Sequence, residues 1–147
     1  MMRRLRLLIV CILLVKTSAA HAALPDLEIE SVQIQPDRPS ASTPVTVVGS
    51  VRNNGSEPAG NFFVTLSLHK SNKVVKTIEE VPVLGSLPQQ GSGFSVPVKV
   101  GRLPEGEYGA VLIVDPENRI RESNERNNQR TKTFKVGSPP FVERTYP

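Results

Sequence analysis

The densest run of chemistry-bearing side chains in this 147-residue sequence lies between Asp115 and Asn128. It carries the acids Asp115, Glu117, Glu122 and Glu125 together with the amides of Asn118, Asn124, Asn127 and Asn128. All of these offer the hard oxygen ligands that Ca²⁺ takes, and Asp115, Asn118, Glu122 and Glu125 form the candidate metal set, with Ca²⁺ as the only cofactor suggested. The spacing is not that of an EF-hand, and Arg119, Arg121 and Arg126 can neutralise three of the four acids. The competing reading is a long connection between two strands. In it Asp115-Pro116 starts a turn, Ile120 plugs the core and the Asn side chains cap backbone groups.

Elsewhere the chemistry is sparse. Residues 1–22 begin with Arg3, Arg4 and Arg6, continue through nine apolar residues from Leu7 to Val15, and end on Ala20-His21-Ala22. That is the layout of a cleavable secretory signal, and the apolar stretch falls short of the ~20 residues a membrane crossing needs. Cleavage after Ala22 removes Cys11 and His21, so the mature chain, starting at Ala23, has no thiol for disulfides or Cys-ligated zinc. Cys11 is not placed as a lipidation site, because Val10 precedes it and apolar residues follow. Cleavage also removes four basic residues and no acid, leaving fourteen of each sign. The net charge of +4 therefore belongs to the targeting segment, and a nucleic-acid or anionic-membrane partner is not expected.

His69 is then the single histidine, at outward parity beside Lys70. A triad would also need a buried acid and an oxyanion site, and neither is signalled, so no catalytic residue is assigned. No glycine-rich phosphate loop opens a helix. The protein is not expected to be an enzyme.

The elements that must position these groups read as strands. From residue 24 to 136 apolar residues recur with period two, and Pro or Gly interrupts every stretch before a helix could complete three turns. Val45, Val47 and Val51 share a parity, as do Phe62, Val64, Leu66 and Leu68; Phe94, Val96, Val98 and Val100; and Tyr108, Ala110, Leu112 and Val114. Lys132, Phe134 and Val136 belong to a closing run. In the first run Leu27 and Ile29 have one parity and Val32 and Ile34 the other, which requires a bulge or sheet crossing near Glu30-Ser31. Turn signals separate the runs, at Gln35 to Pro39, Asn53-Asn54-Gly55, Lys70-Ser71-Asn72, Pro88 to Gly93 and Leu103 to Gly106. About seven short strands at this spacing make an all-β, immunoglobulin-like antiparallel sandwich. Pro97 places the Phe94 strand at an edge or a bulge. Tyr108, after Leu103-Pro104-Glu105-Gly106, has the position of a tyrosine corner. Residues 137–147 show no periodicity and read as a flexible tail.

Pro25-Asp26-Leu27, the strand end Val51 to Gly55 with Pro58-Ala59 after it, Gly106-Glu107-Tyr108 and above all Asp115 to Asn128 resemble the CARDB domain, a cell-adhesion-related domain of bacteria. The resemblance covers residues 24–136. It implies an immunoglobulin or fibronectin type III-like sandwich on extracytoplasmic proteins, used as a module without catalytic activity. This chain departs from the family where a frequent Pro-Gly reads Pro88-Gln89-Gln90-Gly91.

Two classes of function follow. The first is a periplasmic or secreted module that engages a protein partner through sheet edges or end loops. The second is a cell-surface adhesion or carbohydrate-binding module, Ca²⁺-dependent in one version. Carbohydrate sites favour exposed Trp or Tyr platforms, whereas this chain has no Trp, expects Tyr108 inside and carries Tyr146 in the tail. Stable membrane insertion after cleavage is not expected.

Overall fold

The computed structural model describes residues 23–138; the signal segment with Cys11, and residues 139–147 of the tail, lie outside them. Seven strands run β1 (Leu27–Gln35), β2 (Val45–Asn53), β3 (Phe62–Lys70), β4 (Lys73–Val83), β5 (Ser92–Gly101), β6 (Gly106–Val114) and β7 (Gln129–Val136). They form two antiparallel sheets, ordered β1-β2-β5 and β4-β3-β6-β7, packed face to face.

Parity sets the packing. In β2 and β3 every second residue is buried, beginning with Val45 and Phe62, and the opposite set faces outward. The register of β1 on β2 shifts between Ile29 and Ser31, so Leu27 and Ile29 point into the core before the shift and Val32 and Ile34 after it. This is the bulge that the parity switch requires. Pro97 lies in β5, which has β2 as its one partner in the sheet and is therefore an edge strand. Phe94 sits at the sandwich margin, half-buried, with its ring 6.2 Å from that of Phe62. Tyr108 is buried, and its hydroxyl donates to the Pro104 carbonyl at 2.8 Å, completing the corner.

The strand that no alternating run names is β4. Its register on β3 shifts twice, between Val64 and Leu66 and between Leu68 and His69, and each shift resets which residues face inward. Val74 and Val75 consequently both stand exposed although they are neighbours. At the other end of the chain, Gly137 continues past β7 to form a parallel bridge with Ser40. The Gly137 amide donates to Pro39 O, and the Ala41 amide to Gly137 O, each at 2.9 Å. Pairing therefore runs one residue beyond the last periodic position.

Candidate functional site

Three polar stretches far apart in sequence meet at one end of the sandwich. Asn53, fully buried at the end of β2, is the first hub. Its Oδ1 accepts from the amides of Asp26 and Gly55 at 3.0 Å, and its Nδ2 donates to the carbonyls of Glu57 at 2.8 Å and Leu87 at 3.1 Å. A buried Asn with every group paired locks the β2 turn onto the start of β1. Gly55 is required at that crossing, because a side-chain carbon there would come within 2.5 Å of the Asp26 amide nitrogen.

The Asp115 to Asn128 segment closes over the same end. Asp115 is buried with φ of +45°, in the left-handed region that Asp tolerates. One carboxylate oxygen accepts from the Arg119 amide at 3.2 Å and the other from the Ile120 amide at 2.8 Å, which folds the turn and carries Ile120 to the core's edge. Asn118, with φ of +49°, donates its backbone amide to Asp115 O at 3.0 Å. Glu122 is buried; one of its oxygens accepts from the Leu27 amide and the other from Asn128 Nδ2 at 2.6 Å. The exposed Glu125 accepts the Glu122 amide at 2.9 Å. Asn127 Nδ2 reaches Asp26 Oδ1 at 2.9 Å, and the Ser123 amide reaches Pro25 O at the same distance.

Burial pushes the Glu122 carboxyl up from its ordinary 4.5 to about 7. The two hydrogen bonds it accepts pull the other way, while the negative charges of Glu125 and Asp115 add to the rise. The structure thus brings Asp115, Glu122 and Glu125 near enough to repel, and Asn118 joins them through its backbone. Each of the three carboxylates nevertheless already holds at least one backbone amide. Among the described residues no three acids, His or Cys are grouped as an ion would require. The side-chain oxygens of Asn127 and Asn128 are buried without a partner among the same residues. Of the three arginines, Arg119 pairs with Glu117 and lies over the Phe63 ring at 5.1 Å from its centroid.

The two lateral sides of the sandwich differ. On the β1/β7 side the Ile29 amide donates to Asn127 O at 3.4 Å, and Arg130 Nη1 bridges the carbonyls of Ile29 at 3.1 Å and Glu30 at 2.6 Å. On the β4/β5 side, Lys76 Nζ donates to Val100 O at 2.5 Å, and Ala59 bridges Leu87. Val74, Val75 and Leu84, the last 79% exposed, lie along β4 and its exit. Sequence reasoning missed these exposed residues because it did not name β4. His69, the one candidate acid–base group, is half-buried at the end of β3.

The CARDB family model matches residues 24–132. Among solved structures, a CARDB domain from Pyrococcus furiosus, in complex with di-metal ions, is 24% identical with a TM-score of 0.62, over 80% of this chain and 97% of that one. A domain of a cell-surface protein from Methanosarcina acetivorans is 28% identical with a TM-score of 0.52, over 84% and 99%. The β-glucosidase 3B of Thermotoga neapolitana is 16% identical with a TM-score of 0.50; the match covers 78% of this chain and 16% of that enzyme, and it shares the fold alone. No curated protein matches the sequence.

Proposed function

The chain belongs to the CARDB family, and from that premise we propose that it is a non-enzymatic binding and assembly module, exported to the periplasm or the medium, that engages a protein partner through its sheet edges. The observation that carries this reading is the β4 edge strand, which exposes large apolar side chains at both ends, Val74 and Val75 at its start and Leu84 just past its finish. Large apolar side chains held in water along an unpaired strand edge are the kind of feature that a partner strand covers. The test is capture from envelope extract with the protein and with a Val75→Thr/Leu84→Ser variant. Both positions are exposed, so the variant should melt with the parent, while a partner captured in stoichiometric amount should fall about tenfold. Equal capture by both proteins, or retention on cell-wall glycan alone, overturns the reading.

The second reading is Ca²⁺-dependent surface adhesion. It is favoured by the unpartnered amide oxygens of Asn127 and Asn128 and by the metal ions bound to the Pyrococcus furiosus domain. Against it, Asp115, Glu122 and Glu125, three of the segment's four acids, already hold backbone amides. We therefore read the segment as scaffold, and expect wild-type melting curves in chelator and in millimolar Ca²⁺ to superimpose, with Asp115→Asn losing stability equally in both. A rise in wild-type melting temperature with Ca²⁺ that Asp115→Asn abolishes would instead establish the ion site, since a ligand held only by the folded state must stabilise it.

A further inference from the structure

On the side of the sandwich opposite the β4 edge, we propose that the cleft between β1 and β7 docks an extended acidic peptide of a protein partner. The two edge strands are joined at one end of the cleft by Arg130 and Asn127 and at the other by the Ser40–Gly137 bridge. Between these ties β1 and β7 diverge into an opening of about 1020 Å³, bordered by Val32–Gln35 on one wall and Lys132–Lys135 on the other. Each strand has one partner in its own sheet, β2 and β6 respectively, so each turns an edge of unpaired amides and carbonyls to the opening. A four-residue wall is about 13 Å long at ~3.3 Å per residue, which sets the occupant at four to five residues in extended form.

Charge selects the occupant's chemistry. Arg38, Lys132 and Lys135 line the cleft, and Asp37 is the one acid among the lining residues. None of the three cations is in an ion pair within the described residues, and Glu107, opposite Lys135 in the β6–β7 register, is not close enough to form one. Val32, Ile34 and Phe134 supply apolar surface beneath them. An acidic strand carrying one apolar side chain would satisfy both edges, the cations and the apolar floor together. An anionic polysaccharide would satisfy the cations but could not form a ladder with two main-chain edges.

The test is titration calorimetry of the full chain with a seven-residue peptide alternating Glu and Val, alongside hydrogen exchange. The expected result is binding at low salt that weakens several-fold toward 0.5 M salt, because exposed charges are screened. Exchange should slow about tenfold at unpaired amides within Val32–Gln35 and Lys132–Lys135. Lys132→Glu/Lys135→Glu should cut affinity about tenfold, and Arg38→Glu, in the connecting loop, serves as a second variant with a different structural setting. Binding that ignores these charge reversals overturns the proposal. So does equal binding of polyglucuronate without amide protection, or binding that appears only when the chain is cut after Ser138, which would make residues 139–147 the occupant. The Val75→Thr/Leu84→Ser variant should bind the peptide normally, so failure here and failure of the β4 edge are separate results.

Discussion

Leu112→Ala should lower the free energy of unfolding by about 2–5 kcal/mol, the range for truncating a fully buried leucine whose surroundings cannot collapse. Leu112 lies near the end of β6 with no exposed surface, and its side chain occupies space that Gly49 of β2 leaves open. A side-chain carbon added at Gly49 would come within 2.5 Å of Leu112 Cδ2. The two sheets therefore meet here by a large residue fitting over a small one. Gly49→Ala in the wild type should cost about 1–3 kcal/mol through overpacking. In the Leu112→Ala background the same change should cost much less, because its neighbour has withdrawn, so the double-mutant cycle should show coupling. Val96→Ala should also destabilise, while Ser95→Ala and Lys99→Ala, at the exposed positions of β5, should stay within about half a kcal/mol. Urea denaturation of the set decides it. Additive effects at Gly49 and Leu112, or losses at Ser95 and Lys99 that exceed those at Val96 and Leu112, would mean that the sheet faces are misassigned.

The faces were legible in the sequence because burial on one side of a sheet writes itself as a two-residue period. Even the β1 bulge could be read, since Leu27 and Ile29 against Val32 and Ile34 leave a parity break that needs one extra residue. β4 was not legible for the same physical reason applied twice. Two register shifts within eleven residues leave no run of alternation long enough to see. The Asp115 to Asn128 segment shows a further limit. Its oxygens could be counted from composition, but their partners are backbone amides, which every residue except proline carries and which no pattern marks. For Asp115 those amides are the local ones of Arg119 and Ile120, four and five residues on, but whether Glu122 meets a metal ion or the Leu27 amide depends on where β1 begins relative to β7, a tertiary relation. The β1/β7 cleft was hidden likewise, because Val32–Gln35 and Lys132–Lys135 lie about a hundred residues apart. The meeting of Pro25-Asp26-Leu27, Asn53-Asn54-Gly55 and Glu122 at one end explains why these stretches together carry the family resemblance: they are one hydrogen-bonded closure.

That closure should make stability depend on pH through Glu122. Its folded-state pKa, about 7, is raised above the ordinary 4.5, so between those values the folded protein holds a proton that the unfolded chain releases. The stabilisation is therefore fully present below about pH 4.5, declines as pH rises, and is lost once pH passes about 7. Its size is on the order of 1–3 kcal/mol, taken below the full conversion of the shift because water reaches the rim of the site. Melting temperature should accordingly fall from pH 5 to pH 8. Glu122→Gln should flatten this dependence and be more stable than the parent at pH 8. Gln keeps the size and an oxygen to accept the Leu27 amide. It adds an amide donor beside Asn128, whose side-chain oxygen is buried without a partner. Turning the Asn128 amide over would bring that oxygen to the new donor. Glu122→Ala should destabilise at every pH, since it abandons the buried Leu27 amide altogether. A wild-type profile that is level from pH 5 to 8, or a Glu122→Gln profile with the wild-type slope, would show that this carboxylate stays ionised in the fold and that the β1 clamp is a fixed charge-assisted bond.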